Sequence, residues 1–246
     1  MRKAITRTIP DHLMWFGFVL PITPKRTHLR GSNMSMNPEQ KAAWLSARAG
    51  KLTASRMADA MAYLKDGKTP SAKRVDLLHE LLAERLTGDS VPHFVTDAMQ
   101  HGLDCEDEAV DLFVERFPQY DVRPSRFYEH PDLARFGGNF GATPDREIGH
   151  DGLMEVKCPT TPKFVRWVTA GVVPEEHKPQ LIAQLACSGR QWCGFVAYDP
   201  RVKLEHQRLF MRKFVPTPEE IAAVETAAVA FLDELDAMFD AFVSAA

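Results

Sequence analysis

An aspartate behind a proline, followed by a glutamate and a lysine with one residue between them, are the groups this chain offers for hydrolytic chemistry. They are Asp145 after Pro144, then Glu155, Val156 and Lys157. Two carboxylates and a backbone carbonyl, that of Val156, suit a hard cation such as Mg²⁺, which keeps several waters and takes few protein ligands. Such an ion lowers the pKa of bound water and neutralises charge on a phosphoryl group. Lys157 would orient or deprotonate the attacking water, or stabilise a pentacovalent transition state. Glu106 would supply a second ion or its water shell, completing a pair about 3.5–4 Å apart. The alternative is a solvated ion pair between Glu155 and Lys157, which would contribute little to stability.

The elements that must position these groups are legible in part. Glu155 interrupts the apolar run Leu153, Met154, Val156, and a charge inside a buried strand needs a partner. The period of two predicts a strand over 152–158 with Glu155 and Lys157 on one face and Met154, Val156 and Cys158 on the other. Asp145 arrives from the preceding turn. Glu106 falls on the stripe Leu103, Val110, Phe113, Phe117 of a helix over 100–117, which turns it toward the core; a place at the edge of the stripe is the alternative.

Further elements surround them. Asn37-Pro38-Glu39-Gln40 opens a helix to about Arg48, and Thr53-Ala54-Ser55 starts a second with Met57, Ala58, Met61 and Ala62 inward. Residues 64–70 form a turn, and Val75, Leu77, Leu78, Leu81, Leu82 and Leu86 define a third helix closed by Gly88. Strands are expected over 124–130 and 134–141, with Gly137, Gly138 and Gly141 marking bends or close backbone approach. Thr160-Thr161-Pro162 caps a short helix through Trp167, Pro174-Glu175-Glu176 begins another ending near Gly189, residues 191–199 form a buried strand, and a last strand spans 206–215. Behind a Thr217-Pro218-Glu219-Glu220 cap, Ile221, Val224, Ala228, Phe231, Leu235, Met238 and Phe242 recur at three- and four-residue steps, a helix packed on its own domain or a subunit contact.

The 246 residues carry a formal net charge of −3. The tail from Pro216 onward holds seven acids and no Lys or Arg, so the rest of the chain has 30 basic against 26 acidic residues and can face phosphate. Cys105, Cys158, Cys187 and Cys193 stand singly, as in a cytoplasmic protein with reduced thiols; a zinc or iron–sulfur site is the minor reading. Residues 13–22 superficially copy a signal peptide, yet Asp11, His12, Pro21 and Pro24 interrupt the pattern and no membrane span is expected. We expect a loosely structured extension over 1–36 and a single domain over 37–246. GxSxG, HExxH and GxxxxGK[ST] motifs are absent from the sequence.

WLSARAGKLTASRMADAM, HGLDCEDEAVDLF, GATPD, LMEVKCPTTPKF, PQLIAQL and FVAYDPR appear in this order from Trp44 onward. With that order and spacing the chain resembles the lambda exonuclease/YqaJ-type alkaline exonucleases of the PD-(D/E)xK nuclease superfamily. The resemblance implies an α/β (α+β) restriction-endonuclease-like core, a mixed central sheet flanked by helices. By position it makes Asp145 and Glu155 metal-binding acids, Val156 the carbonyl ligand, Lys157 the catalytic lysine and Glu106 the helical acid. It assigns Arg48, Ser55 and Thr143 to the terminal 5′-phosphate, Lys163 to the DNA backbone, and Gln180 and Gln184 to the glutamine-bearing helix. Family members often carry another glutamine where this chain has Ile182. The resemblance further implies Mg²⁺, with Mn²⁺ as substitute and two ions per site, and 5′-to-3′ digestion of one strand of duplex DNA to mononucleotides. It implies a homotrimer threaded by DNA, a single-strand annealing partner, and a phage or prophage origin in the bacterial cytoplasm. An endonuclease of restriction or repair type, and a catalytically silent DNA-end-binding scaffold, are the competing functions.

Overall fold

A computed structural model describes Asn37, Glu39 and residues 44–92 and 96–245. The expected extension 1–36, with its signal-like stretch 13–22, lies outside the described residues, as does most of the helix expected from Asn37. The described part of that helix ends at Ser46, and Arg48 sits in the turn that follows.

Among the described residues eight strands form two sheets. The larger has the order β2 (Val122–Pro124), β5 (Arg146–Ile148), β6 (Gly152–Lys157), β7 (Trp192–Tyr198), β8 (Leu209–Phe214). Its strands are antiparallel except for β6 and β7, which run parallel with Glu155 opposite Phe195 and Lys157 opposite Ala197. The smaller has the order β1 (Leu52–Thr53), β4 (Phe140–Ala142), β3 (Tyr128–Glu129), with β1 and β4 parallel.

Period-two alternation gives the large sheet two apolar faces. Leu153, Phe195, Ala197 and Phe214 pack with Leu181 and Leu185 of the helix Lys178–Ser188 and with the helices Ala72–Thr87 and Pro218–Ser244. Met154, Val156, Val196 and Tyr198 point the other way, onto Ala109, Val110 and Phe113 of the helix Asp97–Arg116. The catalytic candidates on β6 are therefore held between layers, where a main-chain shift would disturb both cores.

Local sequence explains the boundaries. The helix Ala72–Thr87 begins at Ser71, whose side chain accepts from the Arg74 amide, and ends at Gly88 in the left-handed region. The C-terminal helix opens with a capping box between Thr217 and Glu220. It buries Val224, Ala228, Phe231 and Leu235 in its own chain's core, while Phe242 is exposed. Its carboxylates reach back to the body: Glu234 to the buried Arg74 (2.7 Å), Glu225 to Arg135 (2.5 Å), and Asp236 to Arg85.

Three sequence expectations change. Thr53 does not start a long helix: Leu52–Thr53 is a strand, followed by a 3₁₀ turn Ala54–Arg56 and a short helix Met57–Ala60, with Met57 and Ala60 buried rather than Ala58. Pairing of β1 with β4 overrides the local helical pattern. The strand expected over 134–141 is a short helix Leu133–Phe136 capped by Asp132, and the strand proper is only Phe140–Ala142. The strand expected over 124–130 is divided between the two sheets, as β2 and β3. Gly137 and Gly138 take positive φ between these pieces, and a Cβ at Gly141 would lie 2.3 Å from the Phe127 ring, which forces glycine at that close approach.

Candidate active site

Glu155 is only 3% exposed, so the solvated ion-pair reading fails. Three donors surround its carboxylate. Lys157 Nζ and Gln180 Nε2 donate to Oε1 at 2.5 and 2.6 Å, and Gln184 Nε2 donates to Oε2 at 2.6 Å. The i, i+4 spacing of Gln180 and Gln184 places both amides on the same face of the helix Lys178–Ser188. Ile182, between them, points into the apolar core instead, so a hydrocarbon there leaves both contacts intact.

Asp145 follows Pro144 and folds back onto β6. Its backbone N–H donates to the Met154 carbonyl (3.1 Å), and its Oδ2 accepts from the Val156 amide (2.6 Å). A hairpin between β5 and β6 thus brings together residues nine and eleven positions apart. Burial raises the Asp145 pKa well above the ordinary carboxylate value, and the neighbouring charges of Glu155 and Glu106 raise it further. Glu106, from the helix Asp97–Arg116, is raised by burial first, with Arg146 opposing and the charges of Glu155 and Asp107 adding to the shift. For Lys157 burial pulls downward, but Glu155 and Asp145 outweigh it and hold the ammonium above its ordinary value.

Arg146 is the residue that sequence reasoning passed over. Fully buried, it donates to Glu106 (3.0 Å), to Asp107 (2.8 Å) and to the Asp145 carbonyl (2.6 Å), joining the helical acid to the turn. The available signal was its period-two relation to Ile148, which puts a guanidinium on an inward face, where it needs acids.

The donor set is all oxygen, and a cation would offset the burial and the neighbouring negative charge that raise Asp145 and Glu106, so these residues fit a hard divalent ion. Among the described residues no group of three or more His, Cys, Asp or Glu closes into a ready-made cage. Two acids with a carbonyl and waters are the donor set of Mg²⁺ rather than of a structural zinc. The four cysteines are free thiols.

A second cluster adjoins the first. Arg48 donates to the Thr143 hydroxyl (2.8 Å) and lies over the Trp44 ring at 4.2 Å. Burial lowers its pKa to about 10. Its described hydrogen bond goes to a neutral hydroxyl, and the Glu84 carboxylate offsets only part of the effect of burial, which leaves a desolvated positive charge suited to an anion. Thr53 pairs with Gly141 in the parallel β1–β4 ladder, so Ser55 and Thr143 each stand two residues beyond that register, at one end of the small sheet. Ser55 is exposed, its hydroxyl 3.3 Å from that of Thr53, and it is not bonded to Arg48 or Thr143. Pro144 alone separates Thr143 from Asp145. Lys163 lies 3.5 Å from Glu176 and 5.0 Å over the Trp167 ring.

The model of YqaJ-like viral recombinase domains matches residues 43–191. The alkaline exonuclease LHK-Exo from Laribacter hongkongensis is 35% identical to this chain, over 82% of this chain and 96% of that one, with a TM-score of 0.73. Its structure in complex with dAMP aligns at 36% identity over 81% and 95% of the two chains, TM-score 0.72. A phage-related exonuclease from Haemophilus somnus 129PT, 11% identical over 76% and 96% with a TM-score of 0.54, shares the fold. No curated protein gives a significant match.

Proposed function

The chain belongs to the family of YqaJ-like viral recombinase domains, and from that premise we propose that it is a Mg²⁺-dependent exonuclease digesting one strand of duplex DNA from a 5′ end to mononucleotides. Its fold, mixed sheets flanked by helices, is the PD-(D/E)xK-like fold of the alkaline exonucleases. The observation that carries the proposal is the adjacency of two clusters: Asp145, Glu155 and Lys157 gathered at the β5–β6 hairpin, with Thr143 of the Arg48–Thr143 anion pocket two residues before Asp145. LHK-Exo has been solved with a deoxynucleoside monophosphate, which agrees with a mononucleotide product here.

In this reading Asp145, Glu155 and the Val156 carbonyl hold the ion, with Glu106 beside them. The ion supplies Lewis acidity and an acidified water. Lys157, held as an ammonium, would place the nucleophile and offset charge on the phosphoryl oxygens, while Gln180 and Gln184 keep Glu155 aimed. Arg48, Thr143 and Ser55 receive the terminal 5′-phosphate at the end of β4, and Lys163 meets the DNA backbone. The protein works in the cytoplasm as a ring-shaped homotrimer threaded by DNA, beside a single-strand annealing protein encoded by a phage or prophage. Among the described residues no helix is long and apolar enough to cross a membrane.

End-labelled linear duplex, with or without a 5′-phosphate, tests the proposal in Mg²⁺ and in Ca²⁺, with covalently closed plasmid alongside. Mg²⁺-dependent release of mononucleotides, faster from phosphorylated ends and with plasmid untouched, is the expected outcome. Nicked plasmid would favour an endonuclease, and end binding without digestion a scaffold; either overturns the proposal.

A further inference from the structure

The segment after β6 carries a tie that the chemistry above does not use. Lys157 is the last residue of β6, and beyond it Cys158, Pro159 and Thr160 leave the sheet. Proline has no N–H to give to a ladder, so its carbonyl is the group left to fasten the chain at that point. Because Lys157 lies opposite Ala197 in the parallel β6–β7 register, Pro159 and Asp199 stand at matching positions two residues further on. Arg201 spans them. Its Nη2 donates to the Pro159 carbonyl at 2.6 Å, its Nε to Asp199 Oδ1 at 2.6 Å, and its own backbone N–H to the same Oδ1 at 3.0 Å. Asp199 is fully buried whereas the Arg201 side chain is 45% exposed, so the carboxylate is the fixed anchor and the guanidinium the arm.

We infer that Asp199 and Arg201 are positioning residues which, by fastening Pro159, hold the end of β6 and with it the direction of the Lys157 amine relative to Glu155. The inference rests on the proposed nuclease reading, in which Lys157 must meet the reacting phosphate. A lysine side chain has four rotatable carbons, so its aim depends on the main chain beneath it. A displacement on the order of 1 Å at a reacting group costs up to about 10²-fold in rate. A lysine in place of Arg201 has one compact charge and can serve Asp199 or Pro159, not both in the same fork geometry.

The test uses the full-length chain with Arg201→Met, Arg201→Lys and Asp199→Asn, assayed on 5′-phosphorylated linear duplex in Mg²⁺, with thermal melts and amide exchange on each variant. Arg201→Met should lower kcat by about 10- to 100-fold with KM within about twofold. Arg201→Lys should recover part of that loss, and exchange should accelerate at Cys158 and Thr160 but not at Val156. A folded Arg201→Met protein with wild-type kcat overturns the inference. So does a rise in KM at constant kcat, which would make Arg201 a substrate contact. Should Asp199→Asn fail to fold, the half-exposed Arg201 variants still decide. Were the wild-type chain inert on DNA, the nuclease reading would fall by itself, and unchanged exchange at 158–160 in Arg201→Met would separately refute the tie.

Discussion

Replacing Gln184 by methionine removes one donor from Glu155 while keeping an unbranched side chain of similar length. Gln184 is fully buried, and its Nε2 lies 2.6 Å from Glu155 Oε2, while its own oxygen accepts from the Cys193 thiol at 3.9 Å. The variant therefore loses chiefly one hydrogen bond to a charged acceptor, worth about 1.5–3 kcal/mol. Gln180 and Lys157 still hold the other oxygen, so the carboxylate stays in place but is less well aimed. Loss of such a supporting contact lowers metal affinity by about 10- to 100-fold, or about 1.4–2.7 kcal/mol, which agrees with the hydrogen-bond figure. Calorimetric titration with Mg²⁺ should show that weakening, and kcat should return to within a few-fold of wild type once Mg²⁺ is raised in proportion. Ile182→Gln is the contrasting change: Ile182 faces the core, so the substitution should cost stability without tightening the ion. An unchanged Mg²⁺ affinity in folded Gln184→Met, or a rate defect that saturating Mg²⁺ leaves untouched, would refute the reasoning.

Lys157→Met should reduce turnover by at least about 10³-fold while gel-shift binding to DNA ends persists; residual digestion within tenfold of wild type would remove the lysine from its role. Arg48→Ala should erase most of the advantage of a 5′-phosphate, about 10- to 100-fold, with little change on 5′-hydroxyl ends, and an equal loss on both would place Arg48 elsewhere. Asp145 and Glu106 carry raised pKa values, so protons compete with the cation. Mg²⁺ affinity should climb as pH rises above the ordinary carboxylate range and level off once both are ionised. The same shifts mean that the metal-free folded state binds more protons than the unfolded chain, so its stability falls over that climb. The thermal stabilisation given by Mg²⁺ should accordingly grow with pH, and a pH-independent shift would contradict the raised pKa values of Asp145 and Glu106.

The parts of the site written in short-range pattern were legible in the sequence. Period two put Glu155 and Lys157 on one face, and the apolar stripe turned Glu106 inward, because both follow from backbone geometry alone. Arg146 was hidden by length: β5 has three residues, too few for alternation to stand out, and the arginine follows the motif aspartate in what reads as a loop. Leu52–Thr53 became a strand because Phe140 and Gly141, nearly ninety positions away, complete its hydrogen bonds. No local propensity contains that partner. Gln180 and Gln184 entered through family resemblance, since nothing on their own helix says which acid they hold. The tail read as acids without a basic residue of its own, yet Arg74, Arg85 and Arg135 use part of its charge, a pairing visible only once the helix is docked.

Thr143, Pro144 and Asp145 have one further consequence. Two extended residues span at most about 7 Å, and the ring of Pro144 stiffens that span by fixing φ. On the proposed reading, the grip on the chain terminus and the blade share one short, inflexible spacer. The length of each excised fragment is then a property of covalent geometry, a ruler with a single graduation, and the enzyme needs no separate device for counting. Lengthening the spacer by an inserted residue should blur the increment before it abolishes cutting.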